Sequence, residues 1–197
     1  MSRIVRHFPI GVFALLALPG SLVGQATPQS LSITPITGFF GLEAAVTSFN
    51  SQTVATSGAE LAVLFNHRVS VGVVGYGLVN RDVSLSIADR SPPDTLRMGY
   101  GGLRVGYRFA PQRPVHVAVN LFIGGGEVRA RADGRPRLED ELFVAAPGVA
   151  LEANLGSSLQ GALGLSYRQV GGIDWPGVAA SALRGPELRF SLRAGRF

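Results

Sequence analysis

Seven charged residues, Glu43, Glu60, Arg104, Arg108, Glu152, Arg189 and Arg193, stand singly among glycine, alanine and large apolar residues. Gln160 has a similar setting. Charges scattered through oily sequence need partners, and opposite signs enclosed together can satisfy one another. A second cluster is denser: Arg129, Arg131, Arg135 and Arg137 face Asp133, Glu139 and Asp140 within a Gly/Pro-rich stretch. Guanidinium forks suit phosphate oxygens, although such a run also reads as a solvated loop. Catalytic chemistry is harder to assemble. The three histidines, His7, His67 and His116, are scattered, and a lone histidine is more often a member of a hydrogen-bond network than a base. There is no P-loop, HExxH or Gly-x-Ser-x-Gly, and "GGG" at 124–126 is better explained by flexibility than by phosphate binding. With no cysteine, disulfides and thiolate metal sites are excluded. No catalytic residue, cofactor, metal or nucleic-acid partner is expected.

The elements that must position these charges are strands. In "GGLRVGYRF" (101–109), Leu103, Val105, Tyr107 and Phe109 alternate with Arg104, Gly106 and Arg108, giving one oily and one guanidinium face. The same period of two runs through 40–47, 60–65, a segment from Val69, 115–123, 142–153, 158–168 and 187–197. That makes eight antiparallel candidates, with Pro147–Gly148 suggesting a bulge in the sixth. The connections alternate in length. Residues 66–68, 110–114 and 154–157 are short, whereas 48–58, 81–95, 124–140 and 168–182 are long and polar or Gly/Pro-rich. Short turns on one side and long loops on the other are the arrangement of a transmembrane barrel.

The faces then sort by solvent. One holds Val, Leu, Phe and Tyr. The other holds small residues and the isolated charges, which suit the narrow interior of an eight-stranded barrel. An arginine in lipid near the midplane costs about 2–4 kcal/mol, so Arg104, Arg108, Arg189 and Arg193 must point inward with Glu43, Glu60 and Glu152. The parity of the first and last strands predicts that Glu43 pairs with Arg193 or Arg189 across the closing seam. Two aromatic girdles are expected: Phe40, Phe65, Tyr107, Phe109 and Phe197 at the short-turn end, and Phe49, Tyr76, Tyr100, Tyr167 and Trp175 at the other.

Bulk composition agrees. The chain has 197 residues, 46% hydrophobic and only 16% charged, with 26 glycines and a net charge of +5. A mean hydropathy of +0.27 is oily for a soluble protein. No stretch after the N-terminus is long and apolar enough for a membrane-spanning helix. Every one of the 18 basic residues is arginine, which has no physical explanation here. Arg3 and Arg6, the apolar run 10–18 and small residues at Gly24 and Ala26 form a secretory signal pattern. Residues 1–26 are expected to be a cleavable signal peptide and 27–197 the barrel. A lipocalin-like soluble barrel would need its charges outside, and the only tryptophan, Trp175, comes too late for that family's early Gly-x-Trp signature.

With its eight alternating segments, four long connections and C-terminal Phe197 after a signal, the chain resembles the small eight-stranded outer-membrane barrels of Gram-negative bacteria, the OmpA/OmpX-like group. The resemblance implies an all-β, up-and-down antiparallel transmembrane barrel in the outer membrane. It also implies membrane lipids and lipopolysaccharide as surroundings, an outer-membrane assembly machinery that reads the last strand, and a monomer. Arg129, Arg131, Arg135 and Arg137 would then meet lipopolysaccharide phosphates. The implied role is a non-enzymatic envelope or surface-interaction protein acting through extracellular loops. Alternatives are a small-molecule or hydrophobic-ligand conduit and, further off, a lipid-modifying enzyme, which would want a histidine near the outer rim. One departure stands out: Leu188, Phe190, Leu192 and Ala194 share a phase that Phe197 does not. Either a bulge near Gly195 resets the phase or the end of the strand leaves the sheet.

Overall fold

A computed structural model describes residues 35–49, 52–79, 95–131, 138–172 and 183–197. The expected signal peptide, Arg135, Arg137 and Trp175 lie outside the described residues. Eight strands follow one another: β1 (Ile36–Phe49), β2 (Gln52–Phe65), β3 (Val69–Leu78), β4 (Thr95–Arg108), β5 (Val115–Arg131), β6 (Leu138–Asn154), β7 (Leu159–Gly171) and β8 (Gly185–Gly195). Each pairs antiparallel with its chain neighbours, and β1 pairs with β8, closing a barrel in meander order. Closure leaves no free edge, the condition for spanning lipid with strands. No helix among the described residues is long and apolar enough to cross a membrane.

The alternation sorts the residues as their chemistry requires. On β7 every second residue from Gln160 to Val170 is buried, while Leu163, Leu165 and Tyr167 are exposed. On β8 the buried set is Glu187, Arg189, Ser191 and Arg193, and the exposed set includes Leu188, Phe190 and Leu192. This barrel is inverted relative to a soluble fold: the charges are inside and a belt of Val, Leu and Phe is outside. Phe40, Phe65, Tyr107 and Phe109 ring the short-turn end on the exterior.

The hairpin between β2 and β3 shows how local sequence sets the register. Asn66 and His67 both have positive φ (51° and 55°), and the Arg68 amide donates to the Phe65 carbonyl at 3.0 Å. These are the features of a type I′ turn, whose twist matches that of the flanking strands and which Asn tolerates well. His67 is therefore a turn residue.

Several boundaries differ from the sequence reading, for one physical reason. A 14-residue strand at ~3.3 Å per residue, tilted ~45°, rises ~33 Å, already more than the ~30 Å hydrocarbon core. Strands that outgrow the membrane need no apolar face there, so their ends look like loops. Residues 48–58 are not a long loop: β1 and β2 are separated only by 50–51. The 124–140 stretch belongs largely to β5 and β6, so Arg129 and Arg131 are strand residues. Likewise β7 continues through Arg168 to Gly171. No bulge occurs at Pro147–Gly148, because Leu121↔Pro147 and Asn120↔Gly148 keep the register of the β5–β6 ladder. At the C-terminus it is the second alternative that holds. β8 ends at Gly195, and the Phe197 ring turns back against inward-facing Phe39, with centroids 5.6 Å apart, instead of joining the exterior girdle.

Tyr76 and Tyr100 also leave their expected girdle. Both are buried in the interior, where their rings lie 5.0 Å apart and meet Phe122 edge-on at centroid distances of 6.0 and 5.8 Å. Inward glycines make room for these rings. A Cβ at Gly58 would lie 2.4 Å from the Tyr76 ring, and one at Gly126 would lie 2.1 Å from the Gly99 carbonyl and 2.6 Å from Tyr100 Cβ. Gly126→Val should therefore abolish refolding into the heat-modifiable form, because a ladder carbonyl cannot move aside. Normal refolding of that variant would disprove the packing argument.

Candidate functional site: the charged lumen

The interior charges form layers along the barrel axis. Arg108 and His116 come from the short-turn ends of β4 and β5, Glu152 from β6, Gln160 from β7 and Arg193 from β8. Glu152 is the hub of this first layer. Arg108 Nε lies 2.8 Å from its Oε2, His116 Nε2 lies 3.2 Å from the same atom, and Arg193 donates to Oε1. Both guanidiniums also reach Gln160 Oε1, at 3.1 and 3.3 Å, and Gln160 donates to Asn154 Oδ1 at 2.9 Å. Below this layer, Arg108 sits over the Phe39 and Phe197 rings at 5.5 and 5.4 Å, and Arg193 over Phe39 at 5.1 Å. Phe39 and Phe197 thus line the short-turn end of the lumen and hold the guanidiniums by cation–π contact.

The second layer centres on Glu43 of β1. Arg104, reaching over from β4, forks onto it at 2.6 and 3.0 Å and also contacts Glu60 at 3.1 Å. The Tyr76 hydroxyl donates to Glu43 and accepts from Arg104. Ser191 donates to Glu43 at 3.1 Å, and Arg189 lies 3.9 Å from it. Arg193 joins the two layers through Glu60 at 3.5 Å. The expected seam pairing is thus partly replaced. Glu43 meets Arg189, but its main partner is Arg104, and Arg193 turns to Glu60 and Glu152. The reason is reach: on the ladder Glu43 is opposite Ser191, and arginine side chains cross the lumen more readily than they fold back along one seam.

A third layer lies outside the set of charges that the sequence singles out. Arg168 of β7 is 3.3 Å from Glu187 of β8 and donates to Thr47 Oγ1 at 3.2 Å and to the Leu183 carbonyl at 3.1 Å. Parity with Tyr167 would have placed Arg168 inside, had the strand not been ended there. Beyond this layer the interior becomes apolar: Val54, Met98, Val128, Leu142, Val170 and Leu183 fill the long-loop end. Five arginines and four glutamates are buried among the described residues, close to electrical balance. Each named carboxylate has at least one arginine partner, which is what makes buried charge tolerable.

Arg129 takes no part in the lumen. It faces outward on β5, with its guanidinium 2.6 Å from Glu127 and both side chains substantially exposed. Arg131 closes β5. Among the described residues no cluster of His, Cys, Asp or Glu could hold a metal ion. His116 contacts Glu152 and the Arg113 carbonyl, whereas Ser191 contacts Glu43.

A closed eight-stranded meander with an apolar exterior and a charged, internally paired lumen defines the class: this is a small barrel of the outer-membrane type. Among solved structures the chain is similar to Neisserial surface protein A (NspA), with a TM-score of 0.57, 13% identity, and coverage of 82% of this chain and 97% of that one. It is similar also to Ail, the attachment invasion locus protein of Yersinia pestis, with a TM-score of 0.50 and the same identity and coverage. No protein-family model matches the chain, and no curated protein does.

Proposed function

We propose that the chain is an integral, monomeric protein of a Gram-negative outer membrane whose barrel is a closed anchor and whose work is done at its outer surface, without catalysis. The observation that carries this reading is the filling of the lumen. Phe39 and Phe197 lie at one end, three layers of ion pairs follow, and an apolar cluster occupies the other end. A cavity lined by Tyr76, Tyr100, Phe122 and Arg168 measures about 10 Å³, room for no more than about one water. The exterior belt supports the membrane setting. The engagement of His116 by Glu152 and the Arg113 carbonyl favours a network role for it over that of a base in lipid hydrolysis, and the packed interior disfavours a conduit through the lumen. Lipids and lipopolysaccharide are the partners that such an exterior meets first, after export and insertion by the assembly machinery.

Planar-bilayer recording tests this reading. The refolded mature chain, checked for heat-modifiable gel migration in detergent, should add no stable conductance. Large, long-lived openings would overturn the closed-anchor reading, and a soluble monomer without detergent would overturn the membrane assignment.

A further inference from the structure

Charge is distributed unevenly along the barrel axis. Glu43, Glu60, Glu152 and Glu187 are buried in the lumen, where five arginines nearly balance them. Every other acidic residue of the chain belongs to a long connection or to the strand ends beside it. Arginines are about as numerous on that side, so the long-loop end is close to neutral. The short-turn end is different. Residues 27–36, 66–68, 109–114, 155–158 and 195–197 contain no aspartate or glutamate, but they do contain Arg68, Arg113 and Arg196. Apart from the carboxylate that ends the chain, this end is purely basic, and the net positive charge beyond the expected signal peptide is concentrated there.

The three arginines are exposed, and the backbone beneath each is fixed. Arg68 closes the type I′ turn, and its carbonyl accepts from the Arg108 amide at 2.8 Å. Arg113 lies in a turn with Pro111 and Pro114, whose rings fix φ, and its amide donates to the Ala110 carbonyl at 3.0 Å. The Arg196 amide donates to the Gly38 carbonyl at 3.2 Å. In barrel order they occupy the β8–β1 seam, the β2–β3 turn and the β4–β5 turn. Neighbours are therefore two to three strands apart, about 10–15 Å at ~4.8 Å per strand. Arg68 touches the Tyr107 hydroxyl at 3.4 Å, and none of the three has a carboxylate partner among the described residues. Charges of one sign held on a rigid frame attract a polyanion at little ordering cost.

We propose that this arc is a docking surface for a carboxylate-rich polymer on the periplasmic side, the peptide-bearing glycan of the cell wall, so that the barrel tethers the wall to the membrane. This rests on the outer-membrane reading above, in which the short turns face the periplasm. Guanidinium forks suit carboxylates. Two observations select the polymer over anionic lipid headgroups. A leaflet encircles the whole rim, whereas the arginines occupy one arc and the 155–158 turn is uncharged. In addition, Arg113 and Arg196 belong to a turn and a tail past the strand ends, beyond the exterior girdle of Phe40, Phe65, Tyr107 and Phe109.

The test is co-sedimentation of the protein, refolded in neutral detergent, with purified insoluble cell-wall glycan. Heat-modifiable migration is measured first on every variant, so failure of the barrel reading shows before any binding is measured. The wild type should pellet with the polymer at low salt and be released near 1 M, where the screening length falls to about 3 Å. Arg68→Gln with Arg113→Gln and Arg196→Gln should weaken binding by about tenfold, as three exposed ion pairs together allow. Arg97→Gln with Arg129→Gln, at the opposite end, should leave it unchanged. Converting the polymer's carboxylates to amides should abolish binding of the wild type. No pelleting of the wild type, undiminished pelleting of the triple variant, or undiminished binding to the amidated polymer would each overturn the proposal. Arginine-dependent capture by phosphatidylglycerol nanodiscs without pelleting would overturn it too, and would assign the arc to lipid headgroups. The amidated-polymer comparison uses the wild type alone, so it decides the question even if the triple variant folds poorly.

Discussion

Glu43→Ala should lower the unfolding free energy in urea by about 3–5 kcal/mol, the cost of leaving a buried charge without its partner. Glu43 accepts from Arg104, Tyr76 and Ser191 and lies near Arg189, so one truncation uncovers the whole second layer. A double-mutant cycle identifies the partner. Arg104→Ala added to Glu43→Ala should cost much less than the sum of the single changes, because the two groups share one interaction. Arg193→Ala added to Glu43→Ala should be close to additive, since Arg193 is bound to Glu152 and Glu60 instead. Strong coupling to Arg193 with none to Arg104 would restore the seam pairing and contradict the lumen geometry described above.

Glu152→Ala should be comparably severe, about 3–5 kcal/mol, because it strips the carboxylate from Arg108 and Arg193 together and leaves His116 without its side-chain acceptor. Glu152→Gln should also be destabilising, because the amide keeps an acceptor oxygen but not the charge. The exterior supplies the control. The Glu127–Arg129 contact, at 2.6 Å, is as short as the Glu43–Arg104 bond, yet it is solvent-exposed, with side-chain exposures of 48% and 37%. Glu127→Ala should cost no more than about 1 kcal/mol, as exposed ion pairs do. Urea unfolding of the three variants in one lipid or detergent system checks the ordering. Equal losses at Glu127 and Glu152 would mean that the lumen is hydrated and screened.

Much of this organisation was legible in the chain. The period of two assigned Arg104, Arg108, Arg189 and Arg193 to the face opposite the Val/Leu belt, and the cost of arginine in lipid said which face that was. The turn at Asn66–His67 was visible from its length and composition. Strand ends were less legible, because outside the membrane the exterior face loses its apolar signal. Arg168 stands where strand and loop readings meet, and Arg129 reads as loop, for that reason. Tyr76 and Tyr100 read equally well as girdle or interior residues, because aromatic rings suit both an interface and a packed interior and composition does not separate the two.

The sequence by itself determined the eight segments, the inside and outside of each, and the inventory of charges that must share one enclosure. Only the tertiary structure decided who pairs with whom. In a closed, tilted barrel the residues that meet across the lumen are not ladder neighbours. Glu43 is opposite Ser191 on the seam, yet an arginine three strands away supplies its main ion pair. The length of the arginine side chain and the stagger of the strands set those meetings, and neither the stagger nor the closure is written in any local pattern. The return of Phe197 onto Phe39 and the alignment of Ala59, Gly75, Gly101 and Gly125 follow from the same closure and register.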